Sequence, residues 1–116
     1  MSDVTIFHNP NCGTSRNTLA LLREKGVDPK VVEYLKVGWT KDQLQGLFKQ
    51  MGVSAHDVLR VRGTNAHELG LTDPAASDEA VIAAMIIDPV LVERPIVVTG
   101  KGAVLCRPPE KVWDVV

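Results

Sequence analysis

Apolar residues along the chain change their spacing several times, and each change marks the start of a new element. Val4, Ile6 and Phe7 form a strand-like run that Pro10 stops. Gly13-Thr14-Ser15 then precede Leu19, Leu21 and Leu22, which recur at helical spacing, and Gly26 reads as the end of that helix. The segment from Pro29 through Tyr34, with Val31, Val32 and Tyr34 apolar, predicts a second strand. Strand, helix and strand in so short a span imply a parallel, right-handed crossover. Next, Thr40 with Gln43 makes a capping-box pattern ahead of Leu44, Leu47, Phe48 and Met51. Ser54 is placed to cap a short helix through Val58 and Leu59, and Asn65 with Glu68 predicts a further short turn closed by Gly70. Ser77 opens a longer helix with Val81, Ile82, Met85 and Ile86 as its buried stripe and Pro89 just past its end.

The last third predicts a hairpin. Pro95-Ile96-Val97-Val98-Thr99 and Gly102-Ala103-Val104-Leu105-Cys106 flank a tight Gly100-Lys101 turn. If those two residues make the turn, Thr99 pairs with Gly102, and stepping outward brings Arg94 opposite Arg107. Opposed residues have Cβ atoms about 5 Å apart, and like charges there destabilise a sheet. Two guanidinium groups so placed make sense with an anion between them. The same register turns Cys106 to the other face with Val97 and Val104, and a slip of one residue would reverse that. Arg94-Pro95 is a site for a cis peptide, and Pro108-Pro109 ends the strand before a short final helix over residues 110–116.

The order is therefore β-α-β, an all-helical stretch, then β-β-α, which predicts an α/β fold with a small mixed sheet and helices on its faces. With 116 residues the chain is expected to be one domain, 1–116, with its own core. A net charge of −1 argues against general nucleic-acid or membrane binding, so any anion site must be local. No apolar stretch approaches the roughly 20 residues that span a bilayer. Met1-Ser2-Asp3 leads straight into strand-like sequence with no signal-peptide pattern, so the expected location is cytoplasmic.

In that reducing compartment Cys12 and Cys106 are not expected to form a structural disulfide, and they show neither zinc-site spacing nor a C-x-x-C pair. Position 15, where a dithiol oxidoreductase carries its second cysteine, is Ser15, so redox chemistry at Cys12 would need an outside thiol. Cys12 stands where a strand gives way to a helix. There the positive helix end favours a thiolate, and free backbone N–H groups can bind an anion. A buried structural cysteine at a turn fits the local sequence equally well. Arg60, in the basic Arg60-Val61-Arg62-Gly63 loop, completes the set of candidate cations.

His8-Asn9-Pro10-Asn11-Cys12-Gly13-Thr14-Ser15-Arg16-Asn17, the Leu59-Arg60 helix end, Glu68-Leu69-Gly70-Leu71, Arg94-Pro95-Ile96-Val97 and Leu105-Cys106-Arg107-Pro108 together resemble the glutaredoxin-linked arsenate reductase family. The resemblance runs in order along essentially the whole chain and implies a thioredoxin-like fold with a helical insertion. It implies that Cys12 attacks arsenate to give a thiol-arsenate ester, which glutathione and then glutaredoxin reduce to release arsenite. It implies that Arg60, Arg94 and Arg107 hold the oxyanion, with Arg62 near enough to take the place of Arg60. Guanidinium groups suit a tetrahedral polyanion through charge-assisted, often bidentate hydrogen bonds, and they also lower the pKa of a neighbouring thiol. His8 and Ser15 are candidates to tune the thiolate. The alternatives are a satisfied strand-end histidine and a helix-capping serine. Cys106 is expected in the core, and His56 and His67 on solvated helix faces. No bound cofactor or metal is expected; glutathione would serve as co-substrate and glutaredoxin as partner.

Three other readings compete. A related monothiol oxidoreductase would use the same machinery on another substrate. An Spx-type regulator would share the fold but bind RNA polymerase, and Ser15 in place of a second cysteine argues against it. A phosphatase-like reductase needs a C-x5-R loop, which Thr18 excludes by standing where that arginine would be.

Overall fold

The computed structural model describes residues 4–116. Met1-Ser2-Asp3, expected to lead into the first strand, lie outside the described residues. By its internal contacts the chain divides into two units, residues 4–37 with Arg94–Val116, and Gly38–Glu93.

The first unit holds β1 (Thr5–Phe7), α1 (Gly13–Glu24), β2 (Lys30–Val32), a one-turn α2 (Tyr34–Val37), β3 (Ile96–Thr99), β4 (Gly102–Leu105) and a 3₁₀ helix, Pro109–Asp114. Its four strands lie in the order β2-β1-β3-β4. β1 and β2 are parallel, whereas β3 runs antiparallel to both β1 and β4. This is the small mixed sheet expected from the element order, and it agrees with the thioredoxin-like fold that the resemblance implies. The hairpin pairs Thr99 with Gly102 and Ile96 with Leu105, the register set by the Gly100-Lys101 turn. Two differences from the sequence pattern are local. β2 stops at Val32 because Tyr34, buried, begins α2. The final helix is 3₁₀ over Pro109–Asp114, with Pro109 in its first turn.

One hydrophobic cluster joins Val4 and Ile6 of the β1 segment, Leu22 of α1, Val97, Cys106, Val112 and Val115. Cys106 thus lies on the core face with Val97 and Val104, as the hairpin register requires. Leu22 is fully buried there and ties α1 to the sheet. Truncating such a leucine costs about 3–5 kcal/mol, so α1, which carries Cys12 at its start, is firmly anchored.

The second unit is helical. α3 (Lys41–Met51) begins in a true capping box, with the Gln43 amide donating to Thr40 Oγ1 at 3.1 Å, and it ends at Gly52 in the left-handed conformation. Ser54 and Asp57 form a second capping box around the 3₁₀ helix Ala55–Val58, where the Ser54 amide donates to Asp57 Oδ2 at 2.9 Å. α4 (Asp78–Ile87) is capped by Ser77, whose Oγ accepts from the Ala80 amide. Val81, Ile82 and Met85 are buried, but Ile86, expected with them, is 37% exposed. The Asn65 to Gly70 segment makes turns, as expected, with a Leu69 amide to Asn65 carbonyl bond of 3.0 Å. Among the described residues no helix is long and apolar enough to cross a membrane.

Candidate active site

The sheet topology brings three chain segments to one edge. β1 ends at Phe7 in the row Phe7, Ile96 and Leu105, where β3 begins and β4 ends. The chain beyond that row carries Cys12 after β1, Arg94 before β3 and Arg107 after β4. Such an edge, outside the carboxyl ends of parallel strands, is where open α/β sheets place their ligands.

The loop that presents Cys12 is locked by its own backbone. The Cys12 amide donates to the Asn9 carbonyl at 3.0 Å, and the Asn11 amide donates to Asn9 Oδ1 at 3.0 Å. Asn9 is buried and was not singled out from the sequence, although an Asn-Pro pair is itself a turn signal. Cys12 is the N-cap of α1 in extended conformation, and its carbonyl accepts the first helical bond from Arg16 at 3.0 Å. Two X-Pro peptides in the neighbourhood are cis, Arg94-Pro95 and Arg107-Pro108.

The electrostatics favour a thiolate at Cys12. Burial pushes the thiol pKa up, but the Ser15 backbone amide and the Arg94 and Arg107 guanidinium groups outweigh it, and the pKa lies below the ordinary thiol value. Arg94 is only 8% exposed. Its Nε and Nη1 are buried with no hydrogen-bond partner among the described residues. Buried donors left in that state cost about 1–3 kcal/mol each, and such groups call for an explanation. An anion beside the sulfur supplies one. Arg107 Nη1 donates to the Arg94 carbonyl at 2.9 Å, which joins the two arginine segments as the opposed register anticipated.

His8 and Ser15 form a unit of their own. His8 Nδ1 and Ser15 Oγ are hydrogen-bonded at 2.6 Å, and the Asn9 amide donates to the same Oγ at 3.0 Å. The Ser15 hydroxyl is therefore committed to the loop, and it is the Ser15 amide that acts on the sulfur. Any influence of His8 on Cys12 runs through Ser15. Burial holds the His8 pKa below its usual value; Glu33 opposes this, and Arg23 and Arg16 add to it.

Arg60 belongs to the second unit. Its Nη1 donates to Glu93 Oε1 at 2.8 Å in a half-buried ion pair, and its backbone amide donates to the Leu91 carbonyl at 2.8 Å. Glu93 has no signal in the sequence, since it lies far along the chain from Arg60. Arg62 is exposed. Cys106 is fully buried, and burial pushes its thiol up to about 12, so it stays a neutral core residue. His56, expected on a solvated face, is hydrogen-bonded through Nε2 to the Ala76 carbonyl at 2.6 Å, whereas His67 is exposed and bonds Thr72. Among the described residues no cluster of His, Cys, Asp or Glu could hold a metal ion.

Comparison with known proteins places this arrangement among others. A family model described as the ArsC family matches residues 7–115. An arsenate reductase of Rhizobium meliloti is 48% identical over 97% of this chain and 80% of its own length. An arsenate reductase of Escherichia coli is 45% identical over 99% of this chain and 82% of its own. The solved structure of an arsenate reductase from Vibrio cholerae superposes with a TM-score of 0.93 at 41% identity, covering 98% of each chain.

Proposed function

This chain belongs to the ArsC family, and on that premise we propose that it is an arsenate reductase whose nucleophile is Cys12 and whose oxyanion ligands are Arg94 and Arg107. The observation that supports this most directly is the buried Arg94 guanidinium with two partnerless donors beside a thiolate-favouring cysteine. Arsenate docks on the arginines, and its charge is met by groups that need no reorganisation. The Cys12 thiolate attacks arsenic, an S–As bond forms, an As–O bond breaks, and the departing oxygen takes up protons to leave as water. Two further thiols, first glutathione and then glutaredoxin, supply the two electrons that reduce arsenic from the pentavalent to the trivalent state. Overall, arsenate and two thiols become arsenite, one disulfide and water. Ser15 and His8 hold the thiolate turn in shape, and Arg60 is retained as a third oxyanion ligand on the sequence resemblance alone. With no second thiol placed at position 15, the reductant comes from outside, which suits a cytoplasm rich in glutathione.

The test is a coupled assay with arsenate, glutathione, glutaredoxin, glutathione reductase and NADPH. Wild-type protein is expected to oxidise NADPH in proportion to arsenate, and Cys12→Ser to abolish this. Folded wild type without arsenate-dependent turnover would overturn the reading.

A further inference from the structure

Arg16, Leu19, Ala20, Arg23 and Glu24 line an open, shallow groove on the surface of α1. Cys12, Arg16, Leu19 and Arg23 follow one another at spacings of four, three and four, so they form a single stripe that starts at the nucleophile. Arg16 is fixed at the near end. Its Nη1 donates to the Pro10 carbonyl at 2.8 Å, inside the loop that presents Cys12. Arg23, Ala20 and Glu24 are exposed, and Leu19 is half-buried as an apolar floor.

We propose that this groove binds glutathione, with the glycine carboxylate on Arg16, the γ-glutamyl carboxylate on Arg23 and the γ-glutamyl ammonium on Glu24. The charges match group for group. Glutathione carries two carboxylates and one ammonium, and the groove offers two guanidinium groups and one carboxylate. The reach matches as well. At about 1.5 Å rise per residue the Arg23 backbone lies about 16 Å from Cys12, and a side chain leaning back toward the helix start brings the guanidinium to about 10 Å. From its sulfur to its γ-glutamyl carboxylate, extended glutathione spans on the order of 10 Å. Held this way, the thiol points to Cys12 while Arg94 and Arg107 stay with the oxyanion. The assignment rests on the arsenate reductase reading, for which it names the binding site of the reductant.

S-methylglutathione, which has no thiol to react, separates binding from chemistry. Titrated into ¹⁵N-labelled protein without arsenate, it is expected to shift amide signals over residues 16–24. Arg16→Ala and Arg23→Ala are each expected to weaken binding about tenfold, the loss of one charge-assisted contact. Glu24→Gln is expected to weaken S-methylglutathione but not its deaminated counterpart. Signal shifts elsewhere, or an Arg16→Ala, Arg23→Ala double variant binding within about twofold of the parent, would overturn the proposal. So would shifts in this groove that appear only with glutaredoxin, which would make it a protein-docking face. Intact S-methylglutathione binding without arsenate turnover would remove the functional reading and leave the site. Normal turnover with an unchanged glutathione KM in Arg23→Ala would do the reverse.

Discussion

Replacing Arg94 with alanine probes the site where its energetics are most exposed. In the folded protein Nε and Nη1 are already stripped of water and have no hydrogen-bond partner among the described residues. An oxyanion that accepts from one of them gains a charge-assisted bond without further dehydration of the arginine. Such a bond is worth about 1.5–3 kcal/mol, so losing it costs about ten- to a hundredfold in affinity. Arginine to lysine keeps the charge but loses the planar fork, and a loss of about tenfold is expected. Calorimetric titration of arsenate into Cys12→Ser protein, with and without Arg94→Ala, reads the difference with chemistry blocked. Arg94→Met serves as a folding control. It removes the two unsatisfied donors, so its Tm is not expected to fall below the parent value. Arsenate binding by Arg94→Ala within about threefold of the parent would refute the argument, because the partnerless donors would then have no bearing on the anion.

Four further outcomes follow from the titratable groups. Iodoacetamide is expected to label Cys12 in the native protein with an inflection below the free-thiol value of about 8.5, and an inflection at or above it would remove the activation argument. Because the folded-state pKa is depressed, the thiolate adds stability that is present in full above the unfolded pKa and is lost as pH falls through the folded one. The Tm gap between wild type and Cys12→Ser should therefore widen with rising pH. Cys106, at about 12 and fully buried, should label only after denaturation, which mass spectrometry of the alkylated peptides reads directly. His8 is depressed by burial, so protonation favours the unfolded chain. Stability is complete above about 6.5 and falls as the pH drops through the lower folded value, and His8→Gln should flatten that loss in urea titrations from pH 7 to 5.

Much of this protein was legible in local sequence. The Pro10 stop before a helix beginning at Gly13 places Cys12 as a helix N-cap, because those signals act over a few residues. Thr40 with Gln43 closes its capping box for the same reason. The Gly100-Lys101 turn sets the hairpin register, and a period of two then carries that register outward to Arg94 and Arg107. Tertiary structure decided what depends on partners distant in the chain. Ser15 turns its hydroxyl to His8 and leaves only its amide to the sulfur, since the buried imidazole must find a hydrogen bond. Arg60 pairs with Glu93 because the isolated Leu59 to Val92 bridge lays the two chain segments side by side, a contact no local pattern encodes. Ile86 is over a third exposed although its spacing fits the buried stripe, as periodicity sets a face but not how wide a strip of it is covered. The two partnerless donors of Arg94 are likewise a property of the fold, since only packing can take a guanidinium out of water.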